Sequence, residues 1–188
     1  MAISLKLSAP PSDEEILELS QRNPGYEFER TVAGELVVTP TGSAGGRRDA
    51  SLVAQLYTWA EADSTGVAFG SSTGFHLPDG SLLVPDASWL RRESWEALSP
   101  DEREEFSRLC PDAVFEILSR TDSLANLQRK MRAYLANGAH LAVLIDPQRR
   151  TVEIYAPSRG PQILSSPESA SFDPVLPGFT LNLGRIFS

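Results

Sequence analysis

The sequence is poor in the residues that build disulfide frameworks and metal sites rich in cysteine or histidine. It holds one cysteine, Cys110, and two histidines among 188 residues. A single cysteine excludes an intramolecular disulfide framework and a cysteine-rich zinc site, and two histidines exclude most histidine-based metal sites. No apolar run approaches the roughly 18 residues that span a bilayer, and the first residues do not resemble a secretory signal peptide. We expect a soluble, cytoplasmic protein.

Positive charge is also scarce. Lys and Arg number 17 against 25 Asp and Glu, for a net charge of −8. Such a chain has no global field that attracts nucleic acid, which counts against a protein that coats it but leaves room for a local basic rim. Only two of the basic residues are lysines, Lys6 and Lys130, so Lys130 is the one lysine in the body of the sequence.

The length and composition are those of one globular domain, which we expect to cover residues 1–188. Hydrophobic periodicity and turn signals divide it into helices and strands. The predicted helices are 12–20, 48–62, 99–109 and 122–137, and the predicted strands are 26–32, 35–39, 67–70, 75–77, 82–90, 113–118, 141–145 and 151–155. Residues 41–46 are predicted to form a Gly/Ser loop, and the tail to contain edge strands interrupted by proline. The first two strands form a hairpin, and 113–145 forms a right-handed strand–helix–strand unit, so the class is α/β with a mixed sheet.

Glu116 interrupts a strand that is otherwise apolar on both faces, as expected of a central strand. A carboxylate buried there costs several kcal/mol unless a cation or a hydrogen-bond donor meets it. A structural ion pair with an arginine is one explanation. We favour a metal ligand or a catalytic carboxylate.

Asp86 lies within another predicted strand, where aspartate is depleted. Alone it would more often be a turn or cap residue. Paired with Glu116 on a neighbouring strand, it could hold a hard cation such as Mg²⁺, which prefers oxygen ligands.

Lys130 lies at the border of the apolar stripe of its predicted helix, one turn before Tyr134. The chain advances about 10 Å from Glu116 to the end of its strand and returns about 12 Å along the helix from Asp122 to Lys130. Lys130 can therefore lie level with Glu116, although an ordinary lysine with its stem on apolar surface is the simpler interpretation. Gln128, also beside the buried face, is a weaker candidate for a hydrogen bond in a site.

An ordered set of motifs runs from about residue 12 to the end of the chain and resembles the Uma-type restriction endonuclease family of the PD-(D/E)xK nuclease superfamily. The set is specific as a whole, although no single piece would be. The matching segments are Thr39–Ser43, Ser72–Phe75, Leu77–Gly80, Pro85–Trp89, Pro111–Ser119, Lys130–Met131, Tyr134, Asn137–Gly138 and Ile145–Pro147.

The resemblance implies a restriction-endonuclease-like core, with a mixed central β-sheet flanked by helices and an N-terminal β-hairpin. It also implies Mg²⁺- or Mn²⁺-dependent cleavage of phosphodiester bonds in DNA, with Asp86 and Glu116 as metal ligands and catalytic carboxylates. The superfamily's simplest pattern places the lysine two residues after the second carboxylate, but Leu118 stands there. Lys130 is then the displaced catalytic lysine. Asp49 is the nearest match to a polar residue that the family often has early in its first long helix.

Other features are weaker. Five arginines could supply phosphate contacts: Arg47, Arg48, Arg91, Arg92 and Arg120. Residues 70–74 satisfy G-x-S-x-G, but a nucleophile elbow needs a strand-to-helix turn and the following residues favour a strand. Cys110 is interpreted as packing. The alternative to a nuclease is an interaction module with the same fold and no catalysis. Members of the superfamily often act as homodimers, and the sequence does not decide whether this chain does.

Overall fold

The computed structural model describes residues 2–188, which form thirteen strands and five helices. The helices are α1 (Asp13–Arg22), α2 (Ser43–Asp63), α3 (Arg92–Glu96), α4 (Pro100–Glu104) and α5 (Leu124–Ala136). The strands are β1 (Ile3–Leu5), β2 (Tyr26–Arg30), β3 (Leu36–Pro40), β4 (Gly66–Gly70), β5 (Phe75–His76), β6 (Leu82–Leu83), β7 (Ala87–Arg91), β8 (Ala113–Ile117), β9 (Leu141–Asp146), β10 (Thr151–Tyr155), β11 (Gln162–Ser165), β12 (Ser169–Phe172) and β13 (Leu176–Asn182). No helix in this range is long and apolar enough to cross a membrane.

A six-stranded mixed sheet forms the centre of the fold, in the order β11-β10-β9-β8-β7-β4. Strands β8 and β9 are parallel and joined through α5, and the other neighbours are antiparallel. This arrangement confirms the predicted strand–helix–strand unit and the mixed α/β class.

The two faces of this sheet pack against different elements, because successive side chains of a strand point to opposite sides. Ala113, Phe115 and Ile117 of β8 share a core with α2 and the C-terminal ribbon β12–β13. Val114 and Leu118 share the other core with α5. Glu116 follows the second alternation and therefore faces α5.

A second sheet, in the order β1-β3-β2-β6-β5, contains the predicted N-terminal hairpin β2–β3. Its apolar face packs on Ile16 of the predicted capped helix α1, whose N-cap Ser12 forms a capping box with Glu15. The chain passes from β6 of this sheet directly into β7 of the central sheet. The hairpin is thereby carried alongside the central sheet at residues 84–86.

The predicted strand over 82–90 is wrong as one element: it is two short strands, β6 and β7, in different sheets. Pro85 between them has no N–H to donate to a ladder. The Val84 N–H donates to Oε1 of Glu29 at 2.7 Å instead of to a neighbouring strand. The two ladders therefore stop on either side of this short segment.

Two helix boundaries also differ from expectation. The predicted loop over 41–46 is wrong, since α2 begins at Ser43 with Gly42 as its N-cap. Glycine lowers helix propensity by about 1 kcal/mol, but here the packing of a long amphipathic helix outweighs it. The helix predicted over 99–109 ends at Glu104, because Ser107 forms a bridge with Phe75.

The C-terminal segment contributes more to the core than a pair of edge strands would. Strand β11 is at an edge of the central sheet, as predicted, but β12 and β13 form a separate ribbon. Phe172 and Phe179 of this ribbon pack on Phe115 at ring-centroid distances of 5.3 and 6.2 Å. Strand β1 and helix α3 were not predicted.

Candidate active site

Lys130 on α5 lies between two carboxylates from different sheets. Its Nζ is 2.6 Å from Glu116 Oε1 on β8 and 2.7 Å from Glu29 Oε1 on β2. It also donates to the carbonyl oxygen of Val84 at 3.1 Å. The side chains of Lys130, Glu116 and Glu29 are 14%, 6% and 13% exposed, so the cluster is largely withdrawn from water. The contact with Glu116 is the one that the distances along strand and helix predict.

Tyr134 completes the contact between α5 and β8. It is fully buried, and its hydroxyl donates to Glu116 Oε1 at 3.2 Å. Lys130 and Tyr134 are four residues apart and therefore lie on the same side of the helix, with Nζ 5.9 Å from the ring centroid. One oxygen of Glu116 thus receives both groups, and Oε2 accepts no hydrogen bond from the described residues.

Asp86 precedes β7 and is partly buried next to Glu116. The antiparallel register pairs Ala87 with Phe115, so one step further brings Asp86 opposite Glu116. Asp86 Oδ2 accepts the Ile117 N–H at 2.6 Å. Its other oxygen accepts no hydrogen bond from residues 2–188.

Burial and like charge dominate the electrostatics of the two carboxylates. Burial, followed by the charges of Asp49 and Glu27, raises the pKa of Asp86 well above its usual value. Burial also raises the pKa of Glu116, against the opposing effect of Lys130. Crowded carboxylates favour protonation because their mutual repulsion and lost hydration both oppose ionisation.

The surrounding negative charges favour the ionised form of Lys130, whereas they oppose ionisation of the two carboxyl groups. Burial alone would lower the pKa of Lys130, but the charges of Glu116 and Glu29 outweigh burial and raise it well above its usual value. Lys130 is therefore a fixed positive charge at neutral pH.

Two further carboxylates surround the cluster. Burial raises the pKa of Glu27 on β2 to about 8 and that of Asp49 on α2 to about 6. Asp49 lines a cavity of about 380 Å³ between the start of α2 and the loop after β4. The cavity is also lined by Thr41, Ser71, Ser72 and Thr73.

Asp86 and Glu116 could supply two oxygen ligands to a hard cation. Asp86 and Glu116 each present one carboxylate oxygen free of hydrogen bonds, and Mg²⁺ is commonly held by one or two carboxylates with water and phosphate oxygens as its other ligands. Within residues 2–188, no group of three or more Asp, Glu, His or Cys side chains is arranged to hold a metal ion. Any ion there would depend on water or substrate for most of its coordination.

Glu29 and Glu27 were missed by sequence reasoning. They alternate with Phe28 and Arg30 along β2, a pattern typical of a strand with one face in water. The one available signal was that two acidic residues share a face of the hairpin. Lys130, which Glu29 contacts, lies about a hundred residues away along the chain, and no local pattern connects it to either glutamate.

Gln128 does not reach the cluster. Its amide donates to both oxygens of Glu153 on β10, at 3.0 and 3.1 Å, and Tyr155 donates to the same carboxylate. Gln128 therefore fixes the other side of α5 to the sheet, two strands away from Glu116.

Four of the five arginines proposed as phosphate contacts have partners within the protein. Arg47 and Arg48 bind the C-terminal residues Ser188 and Ile186, Arg91 binds Asp112, and Arg92 binds the Ser64 carbonyl. Arg120 is exposed and lines a cavity of about 270 Å³ at the carboxyl ends of β8 and β9.

Two weaker features of the sequence remain, the G-x-S-x-G segment and Cys110. The G-x-S-x-G segment turns into strand β5 rather than into a helix, so it is no nucleophile elbow. Cys110 is partly buried, and burial raises the pKa of its thiol to about 12.

The architecture is similar to that of known protein structures. One solved structure, a "putative nuclease belonging to DUF820" from Anabaena variabilis, superposes with a TM-score of 0.74 at 20% sequence identity, over 95% of this chain and 98% of that chain. A second, the cryo-EM "DrdV-DNA complex", gives a TM-score of 0.42 at 16% identity, over 65% of this chain and 11% of that chain. None of the curated proteins matches the sequence.

The mixed sheet, the β8–α5–β9 unit and the first of these superpositions define an α/β protein with the restriction-endonuclease-like fold. The family model Uma2, described as "Putative restriction endonuclease", matches residues 13–184. The chain belongs to that family, and the resemblance to this family seen in the sequence is confirmed.

Proposed function

We propose that this protein is a metal-dependent endonuclease that hydrolyses phosphodiester bonds in DNA, with Asp86, Glu116 and Lys130 at its centre. The observation that carries the proposal is the contact of 2.6 Å between Lys130 Nζ and Glu116 Oε1, beside Asp86. Two carboxylates and one ammonium are the groups that such hydrolysis needs. Membership of the nuclease family supports the same assignment.

Asp86 and Glu116 would hold Mg²⁺ or Mn²⁺ through their free oxygens. The bound ion would supply a water of lowered pKa and neutralise charge that develops on the phosphate. The Ile117 N–H holds the other oxygen of Asp86 and thereby fixes the orientation of that carboxylate. Tyr134 does the same for Glu116.

Lys130 would orient the attacking water or donate a hydrogen bond to a non-bridging phosphate oxygen. A charged donor fixed in a site withdrawn from water stabilises an oxyanion more than it would in solution. Because its charge is secured by two carboxylates, Lys130 acts as a donor rather than as a general base.

The test is cleavage of supercoiled and single-stranded DNA with Mg²⁺ or Mn²⁺ by the parent protein, by Lys130→Ala and by Lys6→Ala. Lys6 is the matched control, since its side chain is 84% exposed and pairs with Glu35 rather than with the cluster. We expect the parent and Lys6→Ala to cleave, and Lys130→Ala to lose at least a hundredfold in rate. Equal cleavage by all three would refute the role of Lys130.

The alternative is an interaction module that keeps the nuclease fold without catalysis. The net charge of −8 and the engagement of Arg47, Arg48, Arg91 and Arg92 within the protein favour it. A ligand that binds only the folded state raises the melting temperature. A stabilising effect of Mg²⁺ or Mn²⁺ that Glu116→Gln abolishes supports the nuclease, whereas no effect at millimolar metal supports the module.

A further inference from the structure

Lys130 has no donor left for a substrate. An ammonium group has three N–H donors, and three acceptors surround it: Glu116 at 2.6 Å, Glu29 at 2.7 Å and the Val84 carbonyl at 3.1 Å. If Lys130 is to touch water or phosphate, it must release one of these acceptors. The others must then hold it in place.

Glu29 holds Lys130 through contacts that do not involve Glu116. Its Oε1 accepts the Val84 N–H at 2.7 Å as well as Lys130 Nζ, while the Val84 carbonyl accepts from the same Nζ. The three groups form a closed ring that joins the hairpin, the segment before Asp86 and helix α5. Glu116 lies outside this ring.

Glu116 is also the acceptor that a metal ion would claim. A divalent cation on Asp86 and Glu116 would replace the ammonium as the counter-charge of Glu116 and would repel it. Only a negative charge on the far side of Lys130 could then keep the ammonium in the site, and Glu29 is the ion-paired carboxylate there.

We propose that Glu29 is a positioning residue of the site, which holds Lys130 beside Asp86 when a metal on the free oxygen of Glu116 weakens the ion pair between Glu116 and Lys130. Loss of that ion pair frees one N–H of Lys130 for water or phosphate, so metal binding and presentation of the lysine are coupled. This inference rests on the proposed nuclease function, yet the anchoring itself can be measured without cleavage.

The composition provides a direct probe of Lys130. The chain has only two lysines, so a Lys6→Arg protein grown with ¹³Cε-lysine gives a single lysine signal. A held side chain shows two different Hε shifts, whereas a freely rotating one shows a single averaged shift. Glu116→Gln neutralises Glu116 as a bound metal would, with no metal present.

We expect Glu116→Gln to keep two Hε shifts and the further Glu29→Gln change to merge them at the position of free lysine. The matched control is Glu18→Gln on α1, an exposed glutamate paired with Arg22, which should leave the signal unchanged. Merging in Glu116→Gln alone, or two separate shifts in the double variant, would overturn the proposal. The backbone amide spectrum of each variant establishes that the fold is intact.

If the double variant does not fold, Mg²⁺ added to Glu29→Gln replaces it. The Lys130 shifts should merge in Glu29→Gln and stay separate in the Lys6→Arg parent, and identical behaviour of the two would overturn the proposal. A parent that shows the metal-free result but no DNA cleavage keeps the anchoring role and refutes the nuclease function.

Discussion

Glu27 offers a sharp test of the electrostatics around the site. It lies half-buried on β2, and its carboxyl group has no hydrogen bond or ion pair among residues 2–188. Burial raises its pKa from 4.5 to about 8, helped by the charges of Glu29, Glu116 and Asp49 and opposed by Lys130. Ionised Glu27 is therefore a cost to the folded state that Glu27→Gln removes.

The direction in which stability changes with pH follows from proton linkage. The folded pKa lies above the unfolded value, so the folded state binds the proton more tightly, and stability falls as pH rises from about 4.5 to about 8. At 1.36 kcal/mol per pKa unit the whole difference amounts to about 5 kcal/mol. Because the side chain is partly hydrated, we expect Glu27→Gln to stabilise the protein by about 2 to 5 kcal/mol at pH 9, and by less than about 1 kcal/mol at pH 5.

Urea unfolding at both pH values measures this difference. Glu18→Gln, on the surface of α1, is the control for losing a carboxylate without burial. Equal effects of Glu27→Gln at pH 5 and pH 9, or a loss of stability at pH 9, would refute the reasoning. Either result would mean that water reaches the carboxylate well enough to ionise it freely.

Three further perturbations test other parts of the structure. Lys130→Met should cost about 3 to 5 kcal/mol in urea unfolding at pH 7.5, because it leaves the buried carboxyl groups of Glu29 and Glu116 without their cation; an unchanged midpoint would contradict that burial. The pKa of Asp13 is lowered because hydrogen bonds from His76 and Arg30 outweigh burial. The loss of stability in Asp13→Asn should therefore be full above pH 5 and fade below pH 4. A loss of stability that does not depend on pH would contradict this prediction. Cys110, with its pKa raised from 9.0 to about 12, should react with a disulfide reagent at pH 8 roughly a thousandfold more slowly than in urea, and equal rates would show an open thiol.

The β8–α5–β9 unit and the place of Lys130 could be predicted because they depend on short-range regularities. A buried strand, a capped amphipathic helix and a second buried strand follow one another within 34 residues. The rise per residue of strand and helix then fixes which residues are level. The contact between Lys130 and Glu116 needs nothing beyond this unit.

The contribution of the hairpin could not be predicted in the same way. Glu29 reaches Lys130 because β6 joins the hairpin sheet to the central sheet. The predicted strand over 82–90 hid that junction, since an unbroken strand would leave the hairpin no access to residues 84–86. A side-chain acceptor for the Val84 N–H has no signature in the sequence.

What places Lys130 next to Glu116 is the position of its Nζ in space rather than its spacing from Glu116 in the sequence. In the superfamily's simplest pattern, the resemblance seen in the sequence implies a lysine two residues after the second carboxylate, where this chain has Leu118 in the apolar core against α5. Lys130 supplies its ammonium from the helix that covers that face, and Nζ still arrives 2.6 Å from Glu116. In the proposed nuclease, the ammonium would therefore come from the helix rather than from the strand.

In the proposed site, the position of the lysine on a helix also gives Glu29 a role. The long side chain that reaches in from α5 has several rotatable bonds to restrain. Glu29 and the Val84 carbonyl supply that restraint from the hairpin side, independently of Glu116. In the proposed nuclease, Glu29 on the N-terminal hairpin would thus be the second carboxylate that restrains a lysine reaching in from a helix.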